Sequence, residues 1–286
     1  MSDPPRKFIP IEERVPLLAG GGWHRALRCM VEFLLGFHPV RAIVKRAGEL
    51  VEEQGVSSFD ALAQVMEFKI EASGVLEALP REGPLVVIAN HPFGGADAVA
   101  LPALVLRARS DVKVLGNSET SAIGGMDRHV LPLEILGGES AVRRNVAMLR
   151  QALEHLQSGG ALVVFPAGAV AHWQWHSARV EDPIWPVHTA RLIRRSGADV
   201  LPVWFEGRNG PVFQLLGALH PLLRSALLPR AFLGKRGQLV SCHAGPLLRN
   251  PDLPQDATEM TGFLREAVEQ VSETELNCAT GREPVK

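Results

Sequence analysis

The carboxylate of Asp97 stands six positions after the imidazole of His91 in the stretch NHPFGGAD, which follows the apolar run VVIA. Histidine titrates near neutrality, so a neutral imidazole can take a proton from a hydroxyl or amine as that atom attacks. A carboxylate bound to the other ring nitrogen fixes the tautomer and stabilises the imidazolium that forms. Between the two, Gly94 and Gly95 let backbone N–H groups come close to a ligand, which makes them candidate oxyanion donors. The same residues also read as a turn: Pro-Phe-Gly-Gly punctuates structure, and Asn90 and Asp97 are good turn and cap residues. The residues of this stretch alone leave both readings open.

Other residues of chemical interest lie further along. FPAG (Phe165, Pro166 and Gly168) follows an apolar run, as does FEGRNG, which carries Arg208 and Asn209. A strand-end arginine can grip a phosphate or carboxylate with two parallel bonds. Arg143, Arg144 and Asn145 stand at the start of a long helical pattern, where a positive dipole end suits an anion; an exposed, solvated helix face is the alternative. His172 and His176 in HWQWH would share one face of a helix, but no acidic residue sits between them, so no metal site is expected. Cys29, Cys242 and Cys278 are far apart and form no CxxC, which fits a reducing compartment rather than a disulfide framework. Ser118 in GNSET is not on a strand-to-helix elbow and the chain has no GxSxG, which argues against a serine hydrolase.

These residues must be positioned by a chain of 286 residues, 46% apolar, with a formal net charge of −1. It has ample material for a core, and its charge gives no support to nucleic-acid binding. The N-terminal stretch is too broken by proline and charge for a signal peptide, and no apolar window is long enough to span a bilayer. Residues 1–22 read as an irregular arm. Two helical patterns follow, from Trp23 to about Gly36 and from Pro39, with Arg25, Arg28, Arg41, Lys45 and Arg46 on them. They suit either a membrane surface or a helical hairpin packed on the core.

After Asp60, strand-like runs alternate with helix-length segments, the pattern of βαβ crossovers. The expected fold is α/β, a mixed, mostly parallel central sheet flanked by helices, with an N-terminal arm and amphipathic helices over 1–60 and the main domain over 61–286. Ligands in such sheets collect beyond the carboxyl ends of strands, so NHPFGGAD, FPAG and FEGRNG define one pocket if the sheet sets their strands side by side. The apolar, proline-interrupted segment Phe213 to Gly234 reads as an interfacial surface or as a buried helical hairpin.

NHPFGGAD resembles the His-acid motif of the lysophospholipid acyltransferase superfamily, which includes the 1-acylglycerol-3-phosphate acyltransferases. VVFPAGAV resembles the superfamily's Phe-Pro-x-Gly block, and DVLPVWFEG its later block with a proline after an apolar run. The stretch from Phe205 to Gly237 is similar to a hemolysin-like bacterial branch whose PlsC-type domains acylate lyso-ornithine, glycine-type or related lipids. The resemblance covers roughly Ala61 to Pro246, in the superfamily's order. It implies a glycerolipid acyltransferase-like fold and O-acyl transfer from acyl-CoA or acyl carrier protein to a lysolipid, with His91 as base and Asp97 as its orienting acid. It also implies no cofactor, and a peripheral location on the cytoplasmic side of a bacterial inner membrane. Two departures stand out. Five residues rather than four separate His91 from Asp97, and Ala167, Ala169 and Ala171 replace polar side chains. They leave room for a silent lipid- or acyl-binding homologue, or for a hydrolase that uses the same pair.

Overall fold

The computed structural model describes residues 22–117, 126–134 and 139–280. Most of the N-terminal arm and Ser118 lie outside the described residues. Helices α1 (Trp23–Leu34), α2 (Phe37–Gln54) and α3 (Ser58–Val65) precede strand β1 (Lys69–Ser73). A single turn, α4 (Val75–Ala78), leads to β2 (Leu85–Ala89), α5 (Ala96–Ala108), β3 (Val112–Asn117), β4 (Val130–Leu133), α6 (Glu139–Gln157) and β5 (Ala161–Val164). A small hairpin of β6 (His172–Gln174) and β7 (Arg179–Glu181) comes before α7 (His188–Ser196) and β8 (Asp199–Phe205). Helices α8 (Pro211–Leu219) and α9 (Pro221–Leu233), strand β9 (Leu239–Ala244) and helix α10 (Ala257–Thr280) follow.

The main sheet has seven strands in the order β1-β9-β8-β2-β5-β3-β4. Its pairings are parallel except β8 with β9, so β1 and β9 run opposite to the other five strands. The expected mixed, mostly parallel sheet is thus observed. The strands at its centre, LVVIA and ALVV, are buried at every position, as strands covered by helices on both faces must be. Their pleat divides the core in two. Leu85, Val87 and Ala89 face a layer containing Ile43, Ala47 and Leu50 of α2, Leu62 of α3 and Leu101 of α5. Val86 and Ile88 face the other layer, with Leu156 of α6, Ile193 of α7 and Leu264 of α10. Helix α2 therefore packs into the main core, whereas α1 leaves Trp23, Met30, Phe33 and Leu34 exposed. Among the described residues no helix is long and apolar enough to cross a membrane.

Pro202 in β8 breaks no ladder. On the β9 side it falls between the Val203–Ala244 pair and the isolated Val200–Leu248 bridge, where a missing N–H costs nothing.

The histidines of HWQWH lie in the β6–β7 hairpin and its turn, not on the single helical face that their spacing would give. The strand ends at Gln174 and His176 falls in the turn, so the two imidazoles part: His172 approaches Arg224, and His176 lies 3.5 Å from Glu181.

Where the strands begin, a buried arginine ties the sheet's loops together. The Arg109 side chain is 1% exposed; it pairs with Asp111 at 2.5 Å and donates to the carbonyl oxygens of Gly83 at 2.8 Å and Gly159 at 2.7 Å. Those loops enter β2 and β5, at the sheet edge opposite the His91 loop. Removal of a buried cation from such a network costs about 3–5 kcal/mol. Arg109→Ala should lower unfolding stability by that amount in urea denaturation, while leaving the geometry around His91 unchanged at temperatures where the protein stays folded.

Candidate active site

Because β8, β2 and β5 are neighbours and parallel, Glu206, His91 and Phe165 emerge side by side at one edge of the sheet. The strand order on which the sequence made a shared pocket conditional is therefore the one observed. Asn90 ends β2 by a side-chain imitation of a strand. Its amide donates to the Phe205 carbonyl at 3.0 Å and its carbonyl accepts from the Phe205 N–H at 2.7 Å. The main chain is freed from the ladder at that point, and the next residue, His91, is turned out of the sheet.

Asp97 lies in the first turn of α5 rather than at its cap, and its side chain is 0% exposed. Oδ2 accepts from the N–H groups of Phe93 at 2.9 Å and Gly94 at 3.3 Å, and Oδ1 from that of Ala98 at 2.8 Å. The turn and the acid–base reading are thus one arrangement: the carboxylate that folds the loop also faces the imidazole. His91 Nδ1 lies 3.2 Å from Asp97 Oδ2. This is an ion-pair distance, and Nδ1 has no other partner among the described residues. Catalytic hydrogen bonds in unliganded enzymes are often loose in this way and tighten on binding. The His91 ring stacks on Phe165, with centroids 4.4 Å apart. Its side chain is 13% exposed, and no hydrogen bond takes Nε2 among the described residues.

Asp182, just beyond the hairpin, carries no sequence signal and was not foreseen. Its Oδ1 accepts the His91 backbone N–H at 3.1 Å and its Oδ2 accepts from Trp185 Nε1 at 3.2 Å. The His91 carbonyl in turn accepts the Ala171 N–H at 2.8 Å, so the segment after FPAG holds the histidine's main chain on both sides. Burial pushes the Asp182 carboxyl up to about 6, against the opposing pull of His91. For His91, burial is the largest influence and disfavours the imidazolium. The charge and hydrogen bond of Asp97, with the charge of Asp182, outweigh it and raise the imidazole above its ordinary value. Asp97 is the mirror case: burial would raise it, but His91 and the N–H groups of Phe93 and Ala98 hold it below the usual carboxylate range.

The glycines serve a different purpose from the one their permissiveness suggests. Gly94 has φ +83°, and a Cβ there would stand 2.5 Å from Val170 and 2.8 Å from Leu228; one on Gly95 would stand 2.5 Å from Phe232. Helix α9 thus lies directly against the loop, and the absent side chains make room for it. Of the two candidate oxyanion donors of the loop, the Gly94 N–H is therefore already engaged by Asp97, and the N–H of Gly168 is engaged by the Phe165 carbonyl at 3.0 Å. Gly95, at the N-terminus of α5, keeps an N–H with no acceptor among the described residues. Phe165 and Pro166 are buried beside His91, and Gly168 is exposed.

The expected anion residues are not gathered there. Arg144 is exposed and paired to Glu134 at 2.5 Å, while Asn145 holds the Glu134 backbone, so the start of α6 is neutralised locally, near β4 at the sheet's edge. Arg143 lies exposed on the same turn, and Arg208 is exposed beyond β8. Asn209 does reach the loop, but as a brace: it is buried and donates to the Phe93 carbonyl at 3.1 Å. The half-buried cations beside the loop are instead Lys235, 4.0 Å above the Phe93 ring, and Arg224 on α9.

No protein-family model matches the chain. It is 26% identical over 214 residues to a lyso-glycine lipid O-acyltransferase of Phocaeicola vulgatus, covering 74% of each chain. It is 30% identical over 167 residues to the lyso-glycine lipid O-acyltransferase of Bacteroides thetaiotaomicron, covering 58% of each. Its fold matches the 1-acyl-sn-glycerophosphate acyltransferase PlsC from Thermotoga maritima, with a TM-score of 0.51 and 17% identity over 88% of this chain and 98% of that one.

A base of this kind works only when neutral, so turnover should rise with pH through a midpoint above the ordinary histidine value of about 6.5. Asp97→Asn removes the main influence that raises His91. The midpoint should move to lower pH, and the plateau should fall on the order of 10²–10⁴-fold. A pH–rate profile of both proteins measures this, and an unmoved midpoint would sink the assignment.

Proposed function

We propose that the chain is a member of the lysophospholipid acyltransferase superfamily and that it transfers a fatty acyl group from a thioester to the hydroxyl of a lysolipid. The observation that carries this reading is the His91–Asp97 pair at the end of β2, with Nδ1 turned to a fully buried carboxylate and Nε2 left unbonded. In the proposed step Nε2 takes the hydroxyl proton as the acceptor oxygen attacks the thioester carbonyl. Asp97 holds the imidazole and stabilises the imidazolium. The Gly95 N–H, at the positive end of α5, faces the developing oxyanion. Collapse expels the thiolate, which recovers the proton from the imidazolium. No acyl-enzyme forms, and the balance needs only donor and acceptor.

The donor is proposed to be acyl-CoA or acyl carrier protein, and the acceptor a lyso-aminolipid of the kind named for the Bacteroides and Phocaeicola relatives. Both substrates carry long chains, and a membrane surface is the proposed working place, on the cytoplasmic side. Support comes from exposed apolar residues on two segments that touch. Phe33 is 70% exposed on α1, Val212 64% and Leu219 62% on α8, and Arg230 of α9 donates to the Leu34 carbonyl at 3.0 Å. Such a surface suits an interfacial docking face.

The test is a transfer assay with purified protein, acyl-CoA or acyl carrier protein, and a panel of lysolipids in vesicles, following free thiol and acylated lipid together. Wild type should form product with at least one pair, and His91→Ala should lose on the order of 10²–10⁴-fold of that rate. Thiol release without lipid product would instead mark a hydrolase. Absence of turnover with every pair, alongside lipid binding that His91→Ala leaves intact, would mark a silent binding protein.

A further inference from the structure

Helix α9 closes the glycine loop with Leu228 and Phe232, which occupy the space of the missing side chains at Gly94 and Gly95. Arg224 lies one turn before Leu228, on the same side of the helix. It is half-buried, with its stem packed 3.5 Å from where a Cβ on Gly217 of α8 would stand. Its guanidinium donates to His172 Nε2 at 2.8 Å. The other nitrogen of that ring is 3.0 Å from the Val170 carbonyl oxygen, which can only accept. Nδ1 therefore carries the proton, and Nε2 offers a lone pair to the guanidinium. The partner is a neutral ring: burial, with the nearby charge of Arg224, holds His172 below its ordinary value.

This sets Arg224 apart from Arg109, Arg41 and Arg265, which are also withdrawn from solvent. Arg109 faces Asp111, Arg41 faces Glu32 and Arg265 faces Glu181 and Glu269. Arg224 has given up part of its hydration, and no carboxylate among the described residues is within ion-pair distance of it. A buried charge without a counter-charge is costly unless something arrives to pair with it. Four of its five N–H donors remain, in a planar fork that matches a carboxylate with two parallel bonds. Val170, two residues before His172, touches the same Gly94 position as Leu228, so the fork is beside the loop that presents His91.

We infer that Arg224 anchors the carboxylate of an acidic acceptor headgroup while the acceptor's hydroxyl meets His91, an assignment that rests on the acyltransferase reading. A carboxylate is favoured over a phosphate because a single guanidinium offers one positive charge in a fork that matches two oxygens. The other half-buried cation of the segment, Lys235, lies past the end of α9 and is held over the Phe93 ring. The alanines at 167, 169 and 171 offer the headgroup no polar side chain.

The experiment measures binding rather than turnover, so that its outcome is separate from that of the transfer assay. Three lysolipid analogues that lack the reactive hydroxyl are titrated in non-ionic micelles: one with a free headgroup carboxylate, one capped as the amide and one with a phosphate. They are offered to the wild type, Arg224→Gln and Arg224→Lys. Wild type should bind the carboxylate form about tenfold or more tightly than the amide. Arg224→Gln should bind both as the wild type binds the amide, and Arg224→Lys should recover part of the preference. An equal carboxylate-to-amide ratio in wild type and Arg224→Gln would overturn the assignment. So would a uniform loss for every analogue in Arg224→Gln, or tighter binding of the phosphate form by wild type. A carboxylate preference that depends on Arg224 in a protein that transfers no acyl group would uphold the anion site and count only against the acyltransferase reading.

Discussion

A carboxylate taken fully out of water must be repaid in hydrogen bonds, and the repayment of Asp97 organises the site. Three backbone N–H groups, from Phe93, Gly94 and Ala98, converge on its two oxygens, which bends the chain into the loop that follows β2. That bend brings His91 to 3.2 Å from the same carboxylate. The acid is therefore structural and electrostatic at once. Its negative charge is retained because the N–H groups and the imidazole favour the ionised form over the neutral one. A retained charge is what allows it to steady an imidazolium.

The loop is also held from three other directions. Asn90 pins its start to the end of β8, Asn209 pins the Phe93 carbonyl, and the segment from Ala171 to Asp182 takes both backbone groups of His91. Helix α9 then presses against the two glycines. Such constraint fits a group that must meet a reacting atom within a fraction of an ångström. The neighbouring surfaces are left open by comparison, with apolar side chains of α1 and α8 facing outward.

Two carboxylates approach His91 in different ways. Asp97 faces the ring, whereas Asp182 is held on the main chain and shares its other oxygen with Trp185. Asp182, pushed up to about 6 by burial, is neutral in acid and becomes charged near neutrality. Its contribution to folding stability therefore runs opposite to that of Asp97. A carboxyl raised in the fold loses stability as the pH rises toward 6. A depressed one loses stability as the pH falls through its folded value. The raised His91 adds stability on the acid side and gives it up as the pH rises past its midpoint, which is also where it becomes a competent base.

The sequence by itself determined the elements and the spacing of the candidate His91–Asp97 pair. Uninterrupted apolar runs such as LVVIA and ALVV, bounded by Gly and Pro, mark buried strands, and a His-Pro-Phe-Gly-Gly-Ala-Asp stretch at such a strand's end marks both a turn and a candidate acid–base pair. These signals are local: periodicity, composition and spacing fix them before any folding occurs. Tertiary structure decided which polar groups face the pair, because hydrogen-bond partners 90 to 115 residues away leave no mark on local pattern. Asp182 reached His91 across 91 positions, and Asn90 reached Phe205 across 115. The same distance effect moved the anion-binding expectation. Arg144 stood where a helix begins but met Glu134, whereas Arg224, an arginine inside an apolar run, was carried by α9 to the edge of the His91 loop, where it meets a neutral His172 and no carboxylate among the described residues. Whether an arginine is neutralised depends on what the fold sets beside it, and that is a property of packing rather than of sequence.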